Sequence, residues 1–135
     1  EVLELRKVDH NRARRYLMVW DMWGRIIHTS GVKSALPYVI AESLRSLGNH
    51  PYQGGACGVF KLGMAQTHAL WEGCGLQDVI HPLLPIHDEL LYECHEDVAQ
   101  DWIQQVGYEF ENTVRLRVPI KWSGDTALSW GDIKK

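Results

Sequence analysis

The stretch Leu84-Pro85-Ile86-His87-Asp88-Glu89-Leu90-Leu91-Tyr92-Glu93 decides the fold. Two apolar runs, Val79 to Ile86 and Leu90 to Cys94, flank the polar trio His87, Asp88 and Glu89, a pattern that predicts a hairpin with ionisable residues at its tip. A carboxylate beside an apolar sheet carries a desolvation cost unless a cation or hydrogen-bond donors compensate it. A divalent metal is one such compensation. Neighbours along a strand point to opposite faces, so Asp88 and Glu89 would not share one ion, and Asp88 is the expected direct ligand. An acidic turn facing water has the same local pattern and is the commoner arrangement.

Upstream, Tyr52, Ala56, Val59, Phe60, Gly63, Met64 and Leu70 form an apolar stripe that predicts a long helix between Pro51 and Gly73. Gly54, Gly55, Gly58 and Gly63 lie within it, each costing about 1 kcal/mol of helix propensity against alanine, so something must approach that backbone closely. A separate helix is expected from Pro37 to about Gly48, since Pro51 reads as a kink or boundary. Farther upstream, the spacing of Tyr16, Leu17, Val19, Trp20 and Trp23 predicts a helix from about 9 to 23, with Gly24 as its stop. Arg25 to Thr29 reads as a short strand before a Ser30-Gly31 bend. Downstream, Val98, Trp102, Ile103, Val106 and Phe110 predict an amphipathic helix, and Val118 to Trp122 an edge strand because of Pro119. Helices and a hairpin in one short chain favour an α+β fold, an antiparallel sheet with helices on one face.

The chain has 135 residues, 45% of them hydrophobic, enough for a single domain spanning 1–135 with one core. It holds no run approaching the roughly 20 apolar residues of a membrane span and no signal pattern at its start, so a cytoplasmic setting and no membrane partner are expected. Its first residue is Glu1, from which further sequence upstream is expected. The three cysteines, Cys57, Cys74 and Cys94, have no metal-knuckle spacing and read as buried thiols. The net charge of −3 is the wrong sign for holding DNA by phosphate neutralisation alone. It suits a nucleic-acid enzyme in which this part supplies metal-binding carboxylates and other parts the basic grip. The seven histidines are scattered without a zinc-protease motif. Trp71 and Trp102 fall on apolar helix faces and read as core, and Arg12, Arg14 and Arg15 as an exposed helix face.

Arg45, Asn49 and Gln53 are spaced by four, which places three hydrogen-bonding side chains along one side where helical geometry persists. Such groups suit minor-groove base edges and sugar oxygens, although by spacing alone an ordinary solvated face is commoner. The longer segment Asn49-His50-Pro51-Tyr52-Gln53-Gly54-Gly55-Ala56, followed by Lys61-Leu62-Gly63-Met64, resembles the N-x-P-x-Q-G-x-A...K-L-x-M block of family A DNA polymerases, the class of bacterial DNA polymerase I. Ile86-His87-Asp88-Glu89-Leu90 resembles that family's motif C. Gly24 to Thr29, Gly31, Lys33 and Leu36-Pro37 look like its G-x-V-x-T...G-R-R...L-P stretch, with Lys33 where arginine is usual. Val118-Pro119-Ile120 and Gly124 to Trp130 are similar to its V-P-L...G-x-x-W ending.

The resemblance, over about residues 24–135, implies the C-terminal part of a polymerase palm, a piece of a longer chain encoded by a bacterium or phage. It implies that Asp88 is the motif C aspartate that binds catalytic Mg2+ and Glu89 its less critical neighbour. It also implies that His87 sits against the primer strand, and that Arg45, Asn49 and Gln53 track the minor groove and backbone of primer-template DNA. Deoxynucleoside triphosphates would be the second substrate. The departures are specific. The D-Y-S-x-x-E-type motif A and the R-x-x-x-K...Y-G motif B are absent from this chain, and Gly58 stands where an acidic residue is common. One motif C carboxylate cannot assemble a two-metal site, so the isolated chain is expected to be inactive without the remainder of the polymerase, covalent or as a second chain. Two other readings are a degenerate palm serving as a non-catalytic interaction module, and a metal-dependent phosphohydrolase using the His87-Asp88 doublet, which requires that doublet on a helix.

Overall fold

The computed structural model describes residues 11–133. They fall into two compact units, one within residues 1–58 and the other within 59–135.

The first described element of the first unit is a helix, α1, over residues 11–16. It stops well short of the expected 23. Leu17 takes a left-handed φ of 56°, and the chain turns into β1 (Met18–Trp20), antiparallel to β2 (Ile26–His28). The aromatic and β-branched residues that looked helical by spacing alternate here, with Val19 buried between half-buried Met18 and exposed Trp20. Strand pairing thus overrides the helical period. Gly24, read as a helix stop, instead supplies a φ of 77° in the β1–β2 turn. A short 3-10 turn (Ser30–Lys33) leads to α2 (Pro37–Gly73). Ala13, Val19, Val32 and Leu47 form the core of this unit.

Helix α2 runs without interruption for 37 residues and contains Pro51, where the sequence predicts a boundary. Proline removes the donor for the Leu47 carbonyl and costs about 3 kcal/mol in a helix interior, so packing must offset it. The packing uses the glycines. A Cβ at Gly54 would lie 2.7 Å from the Asp21 carboxylate, and one at Gly58 would overlap the Trp23 indole. At Gly54, Gly55 and Gly58 the close approach expected from the glycine stripe is therefore made by the β1–β2 turn.

In the second unit, β3 (Ile80–Ile86) pairs antiparallel with β4 (Glu89–Cys94), from Ile80 opposite Cys94 to Ile86 opposite Glu89. The register shifts by a bulge between Pro82 and Leu84. Helix α3 (Glu96–Asn112) opens with Glu96 and Asp97, acidic residues that suit a helix N-terminus. Ile80, Trp102, Val106 and Phe110 make the core, with Phe60, Met64, Leu70 and Trp71 of α2 and Leu90, Tyr92 and Cys94 of β4 packed on it. The hairpin thus lays one face on two helices, the α+β layer expected from the sequence. Burying each large side chain contributes about 1.5–3 kcal/mol. Trp71 also donates its indole N–H to the Ile80 carbonyl at 2.8 Å, which ties α2 to the base of the hairpin.

Two further expectations fail. Val118 to Trp122 forms no strand. Pro119 has no N–H to give a ladder, and among the described residues this segment adds to neither edge of the two-stranded β3–β4 sheet. It is held instead by Trp122, stacked on Phe110 at 4.8 Å and 27°. Cys57 and Cys74 are exposed rather than buried, one on an outward position of α2 and one just past its end; Cys94 is half-buried. Among the described residues, no helix is long and apolar enough to cross a membrane.

Tyr92 meets Trp102 edge-on at 5.6 Å, and burial pushes its phenol from 10.0 up to about 12. Because the folded value is the higher one, its contribution to stability is complete below pH 10 and is lost as pH rises towards about 12. Urea unfolding measured from neutral pH into this range should show that loss, and Tyr92→Phe should reduce it.

Candidate metal and nucleic-acid site

Ile86 pairs with Glu89, so His87 and Asp88 alone form the loop of the β3–β4 hairpin. A two-residue loop follows the right-handed twist of its strands when a central residue has positive φ, and His87 supplies it with φ 55°. His87, Asp88 and Glu89 are all exposed. Leu90, Tyr92 and Cys94 pack on the core, so the alternation of β4 directs Glu89 to the opposite face. Among the described residues no group of three His, Cys, Asp or Glu side chains comes together to hold a metal ion. Asp88 offers the hard oxygen donors that suit Mg2+, but a two-ion site needs carboxylates beyond it. Residues 80–86 and 89–94 are strands, not the helix that the phosphohydrolase reading requires.

Because α2 continues through Pro51, the spacing of Arg45, Asn49 and Gln53 keeps its meaning: all three lie along one side of a single helix and all are exposed. They belong to the first unit, and His87, Asp88 and Glu89 to the second.

The first unit also holds a cluster that the sequence reading missed. Asp21 is 3% exposed and accepts hydrogen bonds from the Trp23 N–H at 2.9 Å, the Arg25 N–H at 3.0 Å and the Arg25 Nε at 2.7 Å. Burial alone would raise its carboxyl. The bonds from Arg25 and Trp23 outweigh burial and hold it below the usual carboxylate range. Arg25 also donates to the Gly54 carbonyl, and the Trp23 indole donates to the Gly55 carbonyl at 2.9 Å. The available signal was an acid set within the run Val19-Trp20-Asp21-Met22-Trp23, where an unpaired carboxylate would be costly.

A helix-backed antiparallel hairpin with a carboxylate at its turn defines a palm-type α+β layer. The sequence profile of DNA polymerase family A matches residues 2–132, and the chain belongs to that family. It is 28% identical to DNA polymerase I of Rhizobium leguminosarum over 124 residues, which cover 89% of this chain and 12% of that protein. It is 31% identical to DNA polymerase I of Deinococcus radiodurans over 127 residues, 94% of this chain and 13% of the other. The POL domain of Pol1 from M. smegmatis, solved in complex with DNA primer-template and dNTP, superposes with a TM-score of 0.78 at 26% identity, covering 87% of this chain and 20% of that one. The chain therefore spans about an eighth of the length of these curated relatives.

Proposed function

We propose that this chain supplies the motif C portion of a DNA-directed DNA polymerase, which transfers a nucleotide from a deoxynucleoside triphosphate to a primer 3′ hydroxyl. What most supports the reading is the presentation of Asp88 at a two-residue turn in a chain of this family. Asp88 would hold Mg2+, with Glu89 next to it as the less critical acid. Bound magnesium supplies the positive charge that acidifies the primer hydroxyl and offsets charge on the phosphates. His87, beside the metal ligand, would hydrogen-bond the primer near its end. Arg45, Asn49 and Gln53 would hold primer-template DNA along one side of α2, reading acceptors that every base pair offers in the minor groove and so gripping without strong sequence preference.

The remainder of the polymerase, covalent or as a second chain, would supply the motif A carboxylate and the triphosphate-binding motif B. Val118 at 74% and Leu128 at 100% exposure, on a segment without a sheet partner, are apolar surface that such a chain could cover. The working complex would act in the cytoplasm. The test is complementation. This chain alone should give no primer extension with Mg2+, and joining or mixing it with an upstream segment bearing motifs A and B should give extension that a chelator stops. Failure of every such combination would favour the non-catalytic module.

His87 offers a second check. Left-handed φ costs a non-glycine residue about 1–2 kcal/mol, which His87→Gly would relieve against a comparable gain in unfolded-chain freedom. Stability should stay within about 1 kcal/mol, while primer extension by the complete polymerase falls roughly tenfold through loss of a substrate hydrogen bond. Denaturation and steady-state extension assays on the same variant separate the two effects.

A further inference from the structure

We propose that Asp21 is a positioning residue for Gln53: through Arg25 and the Trp23 turn it fixes the part of α2 that carries this proposed DNA contact. The inference rests on the nucleic-acid reading of Gln53 given above.

The turn of α2 that follows Gln53 is built to be weak. Pro51 removes one rung of the hydrogen-bond ladder, and Gly54, Gly55 and Gly58 follow within seven positions, leaving backbone freedom where a rigid helix would have alanine. The helix nevertheless stays continuous there. In a regular helix the carbonyls of Gly54 and Gly55 receive the amides four residues on. Here each also accepts a side-chain donor from the β1–β2 turn, Arg25 on Gly54 and Trp23 on Gly55. Two adjacent helix carbonyls, the first of them next to Gln53, are thus gripped from the side.

Asp21 organises that grip. Its carboxylate binds the backbone N–H groups of Trp23 and Arg25, which sets the turn, and the Arg25 Nε, which orients the guanidinium. A Cβ at Gly54 would sit 2.7 Å from Asp21 Oδ2, so the absence of a side chain there is what lets the carboxylate and Arg25 reach the helix. Rotation of this turn would swing Gln53 off the line it shares with Asn49 and Arg45. The function of the cluster is therefore to hold an orientation that the helix backbone cannot hold by itself.

A double-mutant cycle in the complete polymerase tests this, with Asp21→Asn, Gln53→Ala and the pair, reading affinity for a primer-template duplex and KM for that duplex against kcat. Asp21→Asn should weaken duplex binding roughly tenfold with kcat little changed, and should weaken it no further once Gln53 is alanine. Trp23→Phe, which removes the indole donor and part of the ring over Gly58 but leaves the Asp21–Arg25 pair, should do the same to a smaller extent while the protein remains folded by circular dichroism. Amide exchange over residues 53–59 should rise in both turn variants. Additive losses of affinity, or a fall in kcat with unchanged KM, would overturn the positioning role. Normal affinity in the folded turn variants would do so too. If Gln53→Ala binds the duplex like the parent, the nucleic-acid reading of Gln53 fails, and the positioning role falls with it even if amide exchange still shows the turn gripping the helix.

Discussion

Replacing Asp88 by alanine in the complete polymerase should reduce primer extension by roughly a thousandfold or more, the scale of losing an electrostatic anchor at a reacting phosphate. The residue is exposed at the hairpin turn, so the fold should be unaffected. Duplex affinity should also change little, because the helix face that carries Arg45, Asn49 and Gln53 remains. Extra Mg2+ should not restore activity, since what the variant lacks is the proposed ligand rather than the ion. Glu89→Ala should cost far less, roughly tenfold, as expected of a neighbour on the opposite face of β4. Single-turnover extension over a Mg2+ titration reads all three effects. Near-parental extension by the Asp88 variant would remove motif C chemistry from this chain.

The largest effect on folding should come from Phe110. It is 4% exposed, tilted against Phe60 at 5.5 Å and stacked on Trp122. Phe110→Ala should cost about 3–5 kcal/mol, the usual range for emptying an aromatic site in a core. Gly63 provides a sharper version of the same test. A Cβ there would stand 2.6 Å from the Phe110 ring, too close for any relaxed contact. Gly63→Ala should therefore destabilise by about 1–3 kcal/mol despite its better helix propensity. In the Phe110→Ala background the clash is gone, and the same change should stabilise by up to about 1 kcal/mol. Urea denaturation of the four proteins gives the cycle, and its decisive feature is the change of sign. Equal effects in both backgrounds would mean that the ring does not occupy the space above Gly63.

How much the sequence revealed follows from which interactions are local. The β3–β4 hairpin and α3 were legible because their signals, an interrupted apolar run and an amphipathic period, are satisfied within the same short segments. The glycine stripe correctly announced a close approach, but not by what. Its partners, the Asp21–Trp23 turn and Phe110, lie far away in sequence, and spacing carries no information about them. The same limitation explains the misread helix at 9–23. Tyr16, Leu17, Val19, Trp20 and Trp23 fit a helical period, and only pairing with Ile26–His28 decides for a strand. Pro51 misled in the opposite direction, because its local penalty is offset by contacts beyond the helix. The candidate site residues rest on motif resemblance and local spacing. The Asp21 cluster matched no motif and was passed over, although an acid among tryptophans is itself a physical signal.

The bulge between Pro82 and Leu84 has a consequence for how this hairpin tolerates change in length. Leu83 is the surplus residue, so the parity of β3 differs on its two sides: Pro82 lies opposite Tyr92 below it and Pro85 opposite Leu90 above it. Deleting Leu83 would put Pro82 and Leu84 on consecutive rungs opposite Tyr92 and Leu91, a regular ladder that keeps both the lower pairs and the acidic loop in place. Losing a paired residue of β4 would instead force a choice: keep the lower rungs and slide the acidic loop along by one position, about 3.3 Å, or keep the loop and turn the lower side chains inside out. The leucine itself is half exposed, so a codon lost there should be tolerated far better than one lost from β4.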